Sequence, residues 1–349
     1  MSTTTTGSRV GVPRKSPWRS DWRWLLRVLA LVVVFALVAV ARSRAVDIPF
    51  RDPHGKLFQA KLPHTAEMLL VFVAVDILVR WLRGRSSGTT LWRTVRDRWT
   101  PHRIVLILLA LVAYFVVYLS YRNLKSWDVL LTPKDAMLLR WDRWLFFDHS
   151  PAVLLHDLLG QDVAARVLTA IYESFSWVVV FALVAALAFT PTVREAYVFV
   201  TAAMWAWILG VGSYYLIPSL GPFHAAPQEF SGLTRTSIQS TQATYVQQRD
   251  HLLAHPQASD AFAQISAFAS LHCALTCLVW LMARYYGLRR LSWLLAVFLA
   301  GTLLATVYLG WHFAVDDVAG LAIAWGAVQL GKLTVLGTFR TPTSAPVEP

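Results

Sequence analysis

Cysteine, charge and the common cofactor-binding motifs are all scarce in this chain. It has two cysteines among 349 residues, so a disulfide framework is excluded. Charged residues make up 15% of the sequence, well below the roughly 25% that is usual for soluble domains. There is no Walker loop, no Rossmann glycine pattern and no His-Glu-x-x-His segment, so the common motifs of nucleotide and zinc enzymes are missing.

The two cysteines, Cys273 and Cys277, lie four residues apart within one apolar run. Together with His272 they could form a metal site, but small packing residues are the interpretation that we favour. We therefore expect neither a bound metal nor another cofactor.

Hydrophobic residues make up 56% of the chain and recur in long runs. Most runs approach the roughly 20 residues that a helix needs to cross a bilayer, and they lack the alternation of barrel strands. We predict an all-α, polytopic membrane helix bundle of about eight transmembrane helices. The predicted spans are Trp24–Ala41, Ala66–Leu82, Ile104–Tyr121, Val167–Ala188, Ala196–Ile217, Ala267–Ala283, Leu291–Leu309 and Phe313–Leu336. The expected units are a disordered cytoplasmic N-terminus (1–23), three N-terminal helices (24–121), a larger membrane domain (122–340) and a disordered tail (341–349).

Lysine and arginine are concentrated in two of the short loops, with six in loop 83–103 and three in loop 284–290. By the positive-inside rule, these loops and both termini lie in the cytoplasm. We expect a multi-pass protein of the plasma membrane. Its net charge of +12 is explained by topology and anionic lipid headgroups, so nucleic acid is not an expected partner. The sequence indicates no particular oligomeric state.

Two long non-spanning regions are predicted outside the cell. Lys134–Phe147 mixes apolar and charged residues at helical spacing, which is typical of a helix lying in the membrane interface. Gly221–Gln264 is rich in Ser, Thr and Gln and is long for a plain connection, so it is either a substrate cap or a solvated loop.

Two segments near the C-terminal end place a histidine at a membrane boundary. Ser270-Leu271-His272 opens the sixth predicted span, and the segment Tyr308–Asp316, which contains His312, joins the last two. Positions i and i+4 share a helix face, so Asp316 is expected to reach the His312 ring. The predicted topology brings both histidines to the outer membrane level. Two imidazoles and a carboxylate are suited to covalent transfer of a phosphoryl group.

Buried histidine and aspartate side chains also occur in non-enzymatic, proton-coupled membrane transporters. Transport predicts charges staggered through the depth of the membrane, whereas these residues cluster at one face. A transporter is therefore the alternative from a different functional class.

The paired segments resemble the motifs of the type 2 phosphatidic acid phosphatase superfamily, over roughly Asp142 to Gly320. That family has a Ser-Gly-His-type motif on one helix and a motif ending in His-x-x-x-Asp two helices later. Ser-Leu-His at 270–272 and the segment 218–222 resemble the branch that contains inositol phosphorylceramide synthases. The resemblance implies a six-helix-type lipid phosphatase core in the C-terminal two-thirds of the chain. It also implies that His312 is the nucleophile, His272 the acid–base group and Asp316 the partner of His312.

The phosphate-binding cations of that family have no clear counterparts in this sequence. Ala305-Thr306 stands where the family usually has Ser-Arg, and the first motif, with its Lys and Arg-Pro, has no clear copy. The candidate replacements are Arg122, Lys125, Arg140, Arg143, Arg235 and Arg249. Arg143 is the first choice because a guanidinium can clamp phosphate bidentately. The alternative is that Arg143 only extends its charge to the membrane interface. The predicted phosphate- and substrate-binding set is Ser270, Arg143, Tyr308 and Arg235.

The resemblance implies an enzyme of the extracytoplasmic face, acting on a lipid phosphate or lipid diphosphate among membrane lipids. Transfer to water would make it a phosphatase, whereas transfer of a phosphoryl or phosphoinositol group to a lipid alcohol would make it a phosphotransferase. The same three side chains serve both reactions, and exclusion of water decides between them.

Overall fold

The computed structural model describes residues 17–85 and 88–339, and within these ranges it contains helices and no strand. The predicted all-α membrane bundle is thus confirmed. The helices are α1 (Pro17–Val46), α2 (Leu62–Gly84), α3 (Leu91–Arg98), α4 (Pro101–Trp127), α5 (Asp135–Leu145), α6 (Pro151–Leu159), α7 (Val163–Phe189), α8 (Val193–Leu216), α9 (Pro222–Ala225), α10 (Ser237–Ala254), α11 (Leu271–Tyr285), α12 (Arg289–Tyr308) and α13 (Ala314–Leu336). Residues 1–16 and 340–349, parts of the predicted disordered ends, lie outside the described residues.

Seven of the described helices are long and apolar enough to cross a membrane: α1, α2, α4, α7, α8, α12 and α13. The protein is therefore a multi-pass membrane protein. The remaining predicted span, Ala267–Ala283, is different, because α11 has only 15 residues and begins at Leu271. At 1.5 Å per residue such a helix is about 22 Å long, shorter than the ~30 Å hydrocarbon core.

Short polar side chains set the N-termini of several helices. In each case a Ser or Thr hydroxyl accepts a hydrogen bond from the backbone N–H three residues later, which satisfies a group that the helix itself cannot pair. The capping residues are Thr100 for α4, Ser150 for α6, Thr192 for α8 and Ser270 for α11. The start of α11 is thus fixed by the same serine that opens the first motif.

The C-terminal helix α13 packs most extensively against α8 and also contacts α11. Its close approach to α8 depends on Gly331, where an added Cβ would lie 2.9 Å from the backbone nitrogen of Ala202. Around this centre, α4 packs on α8 and α1, and α7 packs on α2 and α12. The helices that carry the two sequence motifs therefore belong to the most tightly packed part of the bundle.

One end of the bundle is held together by a buried carboxylate and an arginine. Asp76 on α2 forms ion pairs with Arg80 at 2.8 Å and with Arg98 at 3.1 Å. The Arg98 guanidinium also donates to the backbone carbonyls of Ala188 and Thr190 at the end of α7. This network joins α2, α3 and α7, so a structural role accounts for the charged residue inside the second span.

At the opposite end, the connection between α1 and α2 binds to the rest of the bundle. The backbone N–H and C=O of Arg51 both hydrogen-bond to the Asn123 side chain, at 2.8 and 3.0 Å. The Arg51 guanidinium donates to the carbonyls of Ala261 at 2.6 Å and Pro256 at 2.9 Å. The N-terminal helices are therefore fastened to α4 and to the segment that precedes α11.

The predicted orientation can be tested by accessibility labelling. Ser231, an exposed residue between α9 and α10, is expected to lie outside the cell. A Ser231→Cys variant should react with a membrane-impermeant maleimide on intact cells, whereas Arg290→Cys, exposed in the first turn of α12, should react only after permeabilisation. The opposite pattern would show that the orientation is inverted.

Candidate functional site

His272 and His312 meet at the wall of one cavity. Their ring centroids are 5.8 Å apart, and both side chains line a cavity of about 360 Å³. The residues of this cavity come from Lys61 just before α2, from α4, α7, α8 and α10, and from the segments around α11 and α13. The sequence prediction that the two motifs converge agrees with this geometry.

A direct backbone contact brings the two motifs together. The N–H of Ser270, at the start of α11, donates to the carbonyl of Asp316 in the first turn of α13 at 3.0 Å. Close to this bond, a Cβ on Gly320 would lie 2.4 Å from the Ser270 carbonyl oxygen. Because backbone atoms cannot move aside as side chains do, only glycine fits at position 320.

His312 lies in the loop between α12 and α13 rather than on a helix. Its Nδ1 is 2.9 Å from the carbonyl oxygen of Ala267. A carbonyl can only accept, so Nδ1 carries the proton and Nε2 keeps a free lone pair. Burial lowers the pKa of His312 to about 4, although the nearby Asp317 opposes this shift. The ring is therefore neutral at physiological pH.

Asp316 is close to His312 for a reason that differs from the predicted one. The expectation that both residues share a helix face is wrong, because α13 begins only at Ala314. Asp316 lies in the first turn of α13, and its side chain points back to the preceding loop, where it accepts a hydrogen bond from the Phe313 N–H at 3.0 Å. Its Oδ2 lies 3.5 Å from His312 Nδ1. Its Oδ1 is buried without a hydrogen-bond partner among the described residues.

The neighbouring carboxylate, Asp317, forms hydrogen bonds with residues other than His312. It accepts hydrogen bonds from the thiol of Cys273 at 2.9 Å and from the hydroxyl of Thr306 at 2.8 Å. Cys273 is thus a hydrogen-bond donor that links α11 to α13, which agrees with a packing role. Within the described ranges, no cluster of three or more His, Cys, Asp or Glu residues could hold a metal ion.

Aromatic rings hold His272 in place. Tyr172 stacks on it with the ring centroids 4.3 Å apart, and Phe175 contacts it at 4.5 Å. Tyr172 also stacks on Trp311, the residue before the second histidine, at 5.6 Å. No sequence pattern indicated this role of α7, because aromatic residues within an apolar span are indistinguishable from ordinary core residues.

The other residues predicted to bind phosphate or substrate do not line the cavity. The Ser270 hydroxyl accepts from the Cys273 N–H, and the Tyr308 hydroxyl donates to the Gly160 carbonyl at 2.6 Å. Arg143 is half-exposed and lies 3.5 Å from Glu229, and Arg235 is exposed. Their binding roles stay predictions. Among the candidate cations, Arg122 and Lys125 do line the cavity.

The short helix α5 fixes the start of α13 through one carboxylate. Asp142 accepts hydrogen bonds from the N–H groups of Ala314 at 2.8 Å and Val315 at 3.0 Å. An anion at a helix N-terminus is favoured by both the free N–H groups and the helix dipole. Burial nevertheless raises the pKa of Asp142 to about 6, although these hydrogen bonds lower it. Asp142 therefore positions the helix that carries Asp316.

The helix α10 covers the cavity from the side away from the bundle. Thr241 and Tyr245 on this helix line the cavity, and Gln242 donates to the Leu309 carbonyl at 2.9 Å. The Ser237 hydroxyl at its start donates to Glu173 on α7. Of the two interpretations of Gly221–Gln264, the structure thus favours a cap.

Replacing Gly320 should damage the site without removing any functional group. In Gly320→Ala the new methyl group would collide with the Ser270 backbone, so α11 and α13 must separate and the two histidines move apart. We expect a loss of activity of at least tenfold. Gly326→Ala is the matched control, because an added Cβ there would only contact Leu209 at 3.9 Å. Equal activity of the two variants would contradict the argument.

Asp142 can be tested by removing its acceptor oxygens in two steps. Asp142→Asn keeps one acceptor and Asp142→Ala keeps none, and an unpaired buried N–H costs about 1–3 kcal/mol. We therefore expect a graded fall in thermal unfolding temperature and in activity, with alanine the more severe. Identical behaviour of both variants and the wild type would show that Asp142 does not hold α13 in place.

Comparison with known proteins supports the identification of this site. The sequence profile of the PAP2 superfamily matches residues 136–330, a segment that contains both histidines and covers more than half of the chain. No curated protein and no solved structure matches the chain. With the paired histidines on one cavity wall and the profile spanning both motifs, the chain belongs to the PAP2 superfamily.

Proposed function

We propose that this protein is an integral membrane phosphatase or phosphotransferase that acts on lipid-linked phosphate through a phosphohistidine on His312. Membership of the PAP2 superfamily supports phosphatase-type chemistry in general. The observation that carries the finer proposal is the pair of histidine rings 5.8 Å apart on one cavity wall. This distance leaves room for a phosphoryl group in contact with both rings.

In the first step, Nε2 of His312 attacks phosphorus while the bond to the leaving oxygen breaks. The hydrogen bond from Nδ1 to Ala267 keeps the attacking nitrogen deprotonated, and the lowered pKa of His312 keeps the ring neutral. His272, in its imidazolium form, donates a proton to the leaving oxygen and becomes neutral, an assistance worth about 10²–10⁴-fold. As positive charge develops on His312, a small movement would bring its Nδ1–H within hydrogen-bond distance of the Asp316 carboxylate, now 3.5 Å away.

In the second step, the phosphorus–nitrogen bond breaks and His312 is regenerated. His272, deprotonated by the first step, takes a proton from the incoming hydroxyl group as that group attacks phosphorus. Water as the acceptor releases inorganic phosphate, whereas a lipid alcohol gives a new phospholipid. Both outcomes use the same residues, so the acceptor distinguishes phosphatase from phosphotransferase.

A lipid substrate fits the position of the cavity. His312 lies between the spanning helices α12 and α13, and His272 lies in the first turn of the shorter helix α11, beside the cap α10 and the interfacial helix α5. A phosphate at this level can be attached to a lipid whose chains remain in the bilayer. We propose that this level is the extracytoplasmic face of the plasma membrane, which follows from the loop charges.

The distribution of buried charges does not favour proton-coupled transport. Buried ionisable side chains in the described ranges form two groups, Asp76 and Arg103 at the end next to α3, and Asp128, Asp142, His312, Asp316 and others at the end next to α5. A proton relay across the bilayer needs groups at intermediate depths. Group transfer at one end of the bundle accounts for the second set.

The proposed mechanism is tested with purified protein and a panel of lipid phosphates and diphosphates, assayed for free phosphate and for new phospholipid. We expect His312→Ala to abolish turnover. His272→Ala should still form phosphohistidine from a substrate with a good leaving group, because only acid assistance is lost. Asp316→Asn should retain weak activity, since the tautomer of His312 is also held by Ala267.

The controls for this experiment separate the proposal from other mechanisms. His251→Ala, which changes a half-exposed histidine on α10 that does not line the cavity, should behave like the wild type. Full activity of His312→Ala would rule out a covalent role for that residue. Strong inhibition by EDTA that zinc reverses would indicate metal-dependent hydrolysis instead.

A further inference from the structure

One part of the cavity wall is basic, and its basic residues precede the PAP2 segment. The cavity-lining residues include three cations, Lys61, Arg122 and Lys125, and one carboxylate, Glu173. All three cations lie before residue 136, where the family match begins. Lys61 immediately precedes α2, and Arg122 and Lys125 lie at the end of α4. The positive charge of this cavity therefore comes from the N-terminal part of the chain.

Lys125 is the cation whose surroundings leave it available for a ligand. Its side chain is half-buried and lies 5.5 Å from the centre of the Tyr214 ring. Among the described residues no carboxylate lies within ion-pair distance of its ammonium group, although Asp128, one turn along the chain, acts on it electrostatically. The Asp128 carboxylate itself accepts a hydrogen bond from the Ser266 hydroxyl at 2.5 Å. A half-buried ammonium group with no direct carboxylate contact is costly unless an anion joins it.

Arg122 is held in a fixed position beside the same cavity. Its guanidinium lies 3.4 Å from Asp52 and 5.0 Å from the centre of the Phe262 ring. Asp52 belongs to the connection between α1 and α2 and does not itself line the cavity. One carboxylate contact leaves further guanidinium N–H donors unused. Arg122 can therefore contribute a second, pre-oriented group to an anion.

Lys61 differs from the other two because it lies at the mouth of the cavity. It is exposed, and its ammonium group donates to the Tyr118 hydroxyl at 2.9 Å. Glu173 and Ser176 on α7 are the other exposed lining residues. The cavity thus opens between the start of α2 and α7. An anionic headgroup entering there meets Lys61 first.

We propose that Lys125 and Arg122 form the phosphate-binding site of this enzyme, in place of the cations that the family usually has within its own motifs. Lys61 would guide the headgroup through the opening between α2 and α7. The ligand class is a phosphate ester or inorganic phosphate, whose charge of about −1.5 to −2 at neutral pH matches the excess of positive groups on this wall. The identity of the ligand as phosphate rests on the proposed function.

The test measures binding of inorganic phosphate to the purified full-length protein by isothermal titration calorimetry. Phosphate should bind the wild type saturably, Lys125→Gln should raise the Kd at least tenfold, and Lys125→Arg should stay within about threefold of the wild type. Arg122→Gln should raise the Kd by a smaller factor. Arg166→Gln, which removes an exposed cation on α7 outside the cavity, should leave the Kd unchanged.

Three results would overturn the proposal. The first is the absence of saturable phosphate binding. The second is wild-type affinity in a Lys125→Gln protein whose unfolding temperature is unchanged. The third is a tenfold loss of affinity in Arg143→Gln with none in Lys125→Gln, which would assign the phosphate to α5. The His312→Ala protein should still bind phosphate, so this measurement stays informative even if no lipid phosphate is turned over.

Discussion

The site depends on one close backbone contact between α11 and α13. The hydrogen bond from Ser270 to Asp316, beside the side-chain-free surface of Gly320, fixes the start of one helix against the first turn of the other. His272 follows that serine by two residues, and His312 precedes α13 by two. The separation of the two rings is therefore set by main-chain geometry, which is stiffer than contacts between flexible side chains.

Carboxylates at the end of the bundle next to α5 act mainly on backbone N–H groups. Asp135 accepts from the N–H groups of Leu220 and Gly221 at 2.9 Å, and Asp142 accepts from two at the start of α13. Both belong to α5, so one short helix holds two loops that surround the site.

The helix bundle could be predicted from the long apolar runs in the sequence. The meeting of the two histidines could be predicted because successive spans cross the membrane in opposite directions, which places both motifs at the same membrane level. The sequence did not single out, among the candidate cations, the two that line the cavity. Lys125 and Arg122 follow an apolar span, where positive charge is expected for topology alone, and only the fold shows that they face the cavity. The helical spacing of His312 and Asp316 was also misleading, since the chain before Ala314 bends around the Ala267 carbonyl instead of continuing the helix.

The contacts of Arg51 have a consequence for how this protein can be divided. Its backbone joins α4 through Asn123, and its guanidinium holds the segment at 256–261 that leads into the first motif. The segment shared with the PAP2 superfamily is thus in direct contact with the N-terminal part of this chain. We expect the two parts to unfold together, although sequence comparison alone would place a boundary between them.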